Sequence, residues 1–334
     1  MNTQPQGYDQ TAAFIHRLPK TETHLHIEGA LPWECLQSLD PKKFKRTPGS
    51  WAKDFRFRDF AQFEKELIGY ATAWYTSAER YYEAAKRIFA RHRSQNVKYV
   101  EASFASAMLQ WRGLCGAEVA AAIKAAVPPG LEVRVFLGLH RTPEDAWLQN
   151  LCKELVHWDA LDGIDLHGDE TLALQEWTRR LWQRAREAGK FTKAHAGELG
   201  GPNSVKDVVE QLGVRRVEHG VRAVEDATLL DKLRDLGVTL DVCPISNLKL
   251  GVVKTIGHHP IRRLHDAGIP CTLSTDDPIS FGNTIEHEYQ TLAEHLAFDR
   301  RELCHIARNG FEAALLTTDK KQLYLDDLDA LHQA

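Results

Sequence analysis

The chain has 334 residues, 43% of them hydrophobic and 26% charged, with a formal net charge of −4. No basic block points to nucleic acid or a membrane surface, and no run approaches 18 uninterrupted apolar residues, which excludes a transmembrane helix. The polar first ten residues lack the apolar centre of a secretory signal. Six cysteines without C-x-x-C pairs read as reduced thiols, so a cytoplasmic protein is expected.

Along the chain, short runs that fit buried strands alternate with amphipathic stretches. The first strand is expected at Glu22–His26. Residues 30–76 then form a long insertion rich in aromatics (Trp33, Phe44, Trp51, Phe55, Phe57, Phe60, Phe63). It reads either as a cap over the site or as a helical extension that packs its aromatics into a local core. Strands follow at Val97–Phe104, Glu132–Leu139, Gly163–His167, Phe191–His195, Arg216–His219, Thr239–Cys243 and Pro270–Ser274. Helical patterns lie between them at Ala78–Ser94, Gly116–Ala126, Glu144–His157, Thr171–Glu187, Val205–Leu212, Val224–Leu236 and Pro260–Ala267. After Phe281 the pattern is helical through Leu331, closing one side. Eight such units predict an α/β chain folded as one closed (β/α)8 (TIM) barrel domain over 1–334, with 30–76 as a cap inserted after the first strand and additional C-terminal helices.

Barrel enzymes carry their chemistry at the C-terminal ends of strands, and the chemically capable residues fall there. In Thr23-His24-Leu25-His26, alternation along a strand puts His24 and His26 on one face. His195 ends the fifth strand, His219 the sixth, and Asp276-Asp277 follow the eighth. Three imidazoles and a carboxylate suit a catalytic zinc that keeps one position for water. The fourth strand ends in His167-Gly168-Asp169-Glu170, without the bridging lysine that a binuclear centre needs, so a single metal is expected. Glu198 lies in a glycine-containing turn three residues beyond His195, placed to face a metal without binding it. His219 can orient or deprotonate a metal-bound water. An acid that protonates a ring nitrogen while hydroxide attacks the neighbouring carbon is machinery for hydrolytic deamination. Pro270-Cys271 lacks the second cysteine of the P-C-x-x-C zinc deaminases, which excludes that fold.

The stretch Leu18–Gly29 resembles the opening motif of the adenosine/adenine deaminase family of the amidohydrolase superfamily. Gly163–Glu170, His195-Ala196-Gly197-Glu198, Glu218-His219-Gly220 and Ser274-Thr275-Asp276-Asp277-Pro278 resemble its later motifs, in order, over nearly the whole chain. The resemblance implies one zinc ion per chain, held by His24, His26, His195 and Asp276. It implies that Glu198 protonates purine N1, that His219 orients and activates the water attacking C6, and that Asp277 shares a hydrogen bond with N7. His26, Glu28 and the backbone of Gly168 then face the substrate, Gly168 at N3. The partner is a small purine base or nucleoside, with neither nucleic acid nor membrane, and the products are a 6-oxo purine and ammonia.

The substrate stays open. Adenosine deaminases usually carry Asp where this chain has Glu28, whose extra methylene would occupy part of a ribose pocket. Cys243–Leu250 resembles the adenine-specific version of its loop, whereas Ser280–Thr284 resembles bacterial adenosine deaminases. An N6-substituted adenine or an aminodeoxyfutalosine-like nucleoside is an alternative. A mononuclear amidohydrolase of another bond and an inactive binding relative are further ones. Among individual residues, Glu198 could instead ligate the metal and Asp277 could simply hold its loop. Glu170 is expected to cap the helix that follows it near Thr171. His167 replaces a small residue, for packing or to shape the pocket near N3. His258 and His259 read as a surface helix start, and Ser246 and Asn247 as either loop structure or pocket lining.

Overall fold

The computed structural model describes residues 6–333. Eight strands run in sequence order around one sheet, each parallel to its neighbours. They are β1 (Lys20–His26), β2 (Val97–Ala105), β3 (Glu132–His140), β4 (Gly163–His167), β5 (Phe191–Ala196), β6 (Arg216–His219), β7 (Thr239–Val242) and β8 (Cys271–Leu273). The chain just beyond β8 returns to β1. Asp276 N–H donates to His24 O and His26 N–H to Asp276 O, both at 3.2 Å, while Thr23 N–H donates to Ser274 Oγ at 3.0 Å. That seam brings the first and last strands together and closes the barrel.

Alternation within the strands divides the molecule into two interiors. On β2, Val100, Ala102 and Phe104 join the large apolar core shared with the surrounding helices. Glu101 belongs instead to a buried ionic cluster inside the barrel. Lys193 Nζ lies 2.7 Å from Glu218 Oε1 and 3.3 Å from Glu101 Oε2. Arg216 spans Glu101 (3.2 Å) and Asp241 (2.7 Å). Removing one member of such a cluster strands a buried charge, at a cost of about 3–5 kcal/mol. Opposite charges thus replace the branched apolar layers usual in such barrels.

Helix limits differ from the sequence reading where side chains cap them. Asp145 accepts from Leu148 N–H, so the helix predicted from Glu144 begins at Ala146. Pro202 opens the next-but-one helix at Pro202–Gln211, three residues before the predicted Val205, because proline needs no amide partner in a first turn. Asp226 accepts from Thr228 and Leu229 N–H, which splits the predicted 224–236 helix into a 3₁₀ turn at Val221–Glu225 and a helix at Ala227–Asp235. The helix predicted from Thr171 starts only at Glu176, since Asp169 Oδ1 accepts from Thr171 N–H and Oγ1 and turns the chain there.

The 30–76 insertion contains helices Trp33–Leu39 and Phe60–Trp74. Its aromatics do pack locally: Phe57 and Phe63 form a small core with Phe281, the Phe63 and Phe281 rings stacked with centroids 5.4 Å apart. Trp51 Nε1 donates to Ile279 O at 2.7 Å and Phe57 N–H to Lys249 O at 2.9 Å, tying the insertion to the loops after β7 and β8. Its long helix also faces inward, with Phe60, Phe63, Leu67, Ile68 and Ala71 lining the main cavity.

Candidate active site

A cavity of about 620 Å³ opens at the C-terminal ends of the strands. His26, Glu28, Gly168, His195, Glu198, His219, Asp276 and Asp277 all line it, and His24 lies buried behind them. The chain thus gathers every residue singled out above for binding or chemistry at one place.

His24, His26, His195 and Asp276 stand close together, and the donor atoms of His24, His195, His219 and Asp276 also lie within 4.8 Å of one another. The Nε2 atoms of His24 and His26 are 3.3 Å apart, as are those of His26 and His195. Asp276 Oδ1 lies 3.4 Å from His24 Nε2 and 3.3 Å from His26 Nε2. The far sides of two rings fix where their protons sit. His195 Nδ1 donates to Asp165 Oδ1 at 3.3 Å and lies 2.8 Å from Glu218 Oε2. His24 Nδ1 has the Asp241 carbonyl at 3.4 Å. With Nδ1 engaged on the far side, each ring keeps its Nε2 atom for the centre. For bonds of about 2.0–2.1 Å a tetrahedron has edges of about 3.3 Å, and these four separations match a metal such as zinc. Asp276 Oδ2 is held from behind by Ser246 Oγ at 2.7 Å.

Backbone conformation contributes to this placement. His219 and Asp276 adopt left-handed φ values of 64° and 65°, a conformation costing about 1–3 kcal/mol in non-glycine residues and concentrated at functional sites. Gly29 is required for a different reason: a Cβ there would lie 1.6 Å from Asp277 Oδ1. That Asp277 oxygen is buried and has no hydrogen-bond partner among the described residues. Burial, reinforced by the charge of Asp276, pushes the Asp277 carboxyl well above its ordinary range.

Glu198 belongs to none of the His/Asp groups that could hold a metal ion among the described residues. Burial, then the charges of Asp276 and Glu170, push its carboxyl upward, which favours the protonated acid. Its Oε2 is 3.5 Å from His219 Nε2. Glu28 has Oε1 tied back by Tyr81 Oη at 2.6 Å and by Ala105 N–H at 3.0 Å, and burial raises its carboxyl too.

The sequence reading missed several supports. Glu170 does not cap the next helix. Its carboxylate accepts from Gly197, Glu198 and Gly200 N–H and from Ser204 Oγ, at 2.8–3.1 Å, and so braces the turn that carries Glu198. Arg141 Nη2 donates to His195 O at 2.8 Å. His259 is buried rather than on the surface, while His258 is exposed, because Pro260 turns the chain inward between loop and helix. Ser246 and Asn247 are buried and lie outside the cavity lining. Asp165 was within reach of the alternation rule, being two residues before His167 on one strand, whereas Glu218 directly precedes His219, whose left-handed φ of 64° breaks the alternation.

Comparison with known proteins agrees with this geometry. The adenosine deaminase family profile matches residues 19–331. The chain belongs to the adenosine deaminase family. An adenine deaminase of Hahella chejuensis is 32% identical over 325 residues, covering 95% of this chain and 97% of the relative. The crystal structure of an adenine deaminase from Arthrobacter aurescens superposes with a TM-score of 0.85 at 25% identity, covering 95% of this chain and all of that one. An amidohydrolase from Burkholderia ambifaria, solved with bound zinc, shares the fold with a TM-score of 0.82 at 21% identity, over 96% and 93% of the two chains. No helix among the described residues is long and apolar enough to cross a membrane.

Proposed function

We propose that this chain is a zinc-dependent hydrolase of cyclic amidines that deaminates a 6-aminopurine, with free adenine as the first candidate and adenosine as the second. The observation that carries the chemistry is the convergence of His24, His26, His195 and Asp276 opposite a buried, proton-retaining Glu198. Relatives at about 30% identity over nearly their whole length, named adenine deaminase, support the choice of base.

In this reading the four residues hold one zinc ion, which supplies a water activated near neutral pH. Glu198 donates a proton to N1 of the purine, weakening the ring for attack at C6. His219 stands where it can contact the attacking oxygen. Asp277 shares a proton with N7, which would give its orphaned Oδ1 a partner, and Gly168 offers backbone at N3. Glu28 addresses the N9 side. The 30–76 insertion acts as a cap that limits water around the reacting carbon. Among its described lining residues the cavity has no lysine or arginine, whereas Glu28, Glu64 and Asp145 are acidic. A phosphate ester would meet carboxylates, which favours a base or nucleoside over a nucleotide. The six unpaired thiols suit a reducing cytoplasm.

The deciding assay follows loss of the adenine absorbance band and release of ammonia, with zinc-loaded protein given adenine and adenosine side by side. Faster turnover of adenine is expected. Turnover of adenosine alone would overturn the assignment of the base, and silence on both would move the substrate to a modified adenine. A second test concerns Glu218. Its replacement by Gln removes the charge beside His195 Nδ1, and zinc affinity in a chelator competition is expected to fall about 10–100-fold. Unchanged affinity would remove His195 from the ligand set.

A further inference from the structure

His259 and Asn247 touch neither the cavity nor the metal-binding group, yet both are buried, at 2% and 0% exposure. One backbone amide fixes the direction of every hydrogen bond between them and the site. Ile261 N–H donates to His259 Nδ1 at 3.2 Å. An amide nitrogen can only donate, so Nδ1 bears the lone pair. Burial holds the His259 ring down to about 3, hence neutral, with its one proton on Nε2. That N–H donates to Asn247 Oδ1 at 3.1 Å. The Asn247 oxygen therefore faces His259, and its NH2 group faces the site.

From there Asn247 Nδ2 donates to Glu198 Oε1 at 3.2 Å and to His219 Nδ1 at 3.3 Å. The opposite orientation of the amide would set donor against donor at His259 and an oxygen against the Glu198 carboxyl. With Nδ1 accepting, a neutral His219 carries its proton on Nε2, the ring atom 3.5 Å from Glu198 Oε2 and 4.0 Å from Asp276 Oδ2.

We infer that His259, acting through Asn247, is a positioning residue that sets the tautomer of His219 and the orientation of Glu198, so that His219 presents an N–H rather than a lone pair to the reacting oxygen. His219 then serves the reaction as a hydrogen-bond donor and not as the base. This rests on the reading above that Glu198 and His219 work on the substrate.

The test is ¹⁵N NMR of histidine-labelled, zinc-loaded protein, in which protonated and unprotonated ring nitrogens are distinguished and His219 is assigned by its loss in His219→Gln. The wild type is expected to show His219 protonated at Nε2. In His259→Phe, His219 is expected to lose that single tautomer, and kcat to fall by up to about 10²-fold with KM and zinc content little changed. His259→Gln, which puts an amide N–H where the imidazole Nε2–H was, is expected to restore both. Asn247→Asp can no longer donate, so there His219 is expected to move its proton to Nδ1 even if the Phe variant does not fold. A wild-type His219 protonated at Nδ1 overturns the inference. So does a His259→Phe protein with unchanged tautomer and turnover, or an Asn247→Asp protein with an unchanged His219 signal. The NMR readout needs no substrate. The expected tautomer with no ammonia released from any adenine would therefore overturn the functional reading while leaving this one standing.

Discussion

Glu198→Gln is expected to keep its zinc and to lose about 10²–10⁴-fold in turnover, the range of a positioned general acid. Glutamine matches the side chain in size, and its oxygen can still accept from Asn247 Nδ2. What it lacks is a transferable proton. The wild-type carboxyl is buried among Asp276 and Glu170, which push it upward and keep it protonated where an exposed glutamate would be charged. Because the variant should bind substrate much as before, the loss belongs in kcat and not in KM. Steady-state kinetics with metal analysis on the same sample check both halves. Turnover near that of the wild type would take Glu198 out of the proton transfer.

A larger effect is expected at Asp276, where Asp276→Ala should leave purified protein with far less than one zinc equivalent and only background activity. Asp276 Oδ1 sits within 3.4 Å of two Nε2 atoms, and no other carboxylate oxygen joins His24 and His26 in this way among the described residues. Its charge also opposes the burial penalty on His24 and, with Glu218, favours the protonated ring when no cation is present. Alanine would in addition be strained at a φ of 65°. Asp276→Asn separates the two causes, since asparagine tolerates the left-handed region but brings no charge. Both variants should lose the thermal stabilisation that added zinc gives a protein able to bind it. A full zinc equivalent in either would remove Asp276 from the ligand set.

The barrel was legible because strand and helix periods alternate eight times, and periodicity survives any choice of loops. What escaped were boundaries set by single side chains: Asp145, Pro202 and Asp226 each move a helix start, and nothing in the apolar pattern records them. The inner group of the site was legible for a related reason. Its residues sit at strand ends, and His24 and His26 are close in sequence, so one local rule brings them together. Glu170, which braces residues about 30 positions away, and His259, which reaches Glu198 only through Asn247, follow no local period. Their hydrogen bonds exist only after the sheet has closed. His259 also lies beside an exposed histidine and a proline, a neighbourhood that resembles surface.

The seam between β8 and β1 has a consequence for the timing of assembly. His24 and His26 leave the ribosome roughly 250 residues before Asp276, and contacts so distant in sequence form late in folding. The four-atom cage spans both sides of that seam. A chain cut before Asp276 could therefore hold all three histidines but no carboxylate to complete the set. Capture of the ion would then act as a checkpoint on completeness: only a chain whose last strand has found its first could become reactive.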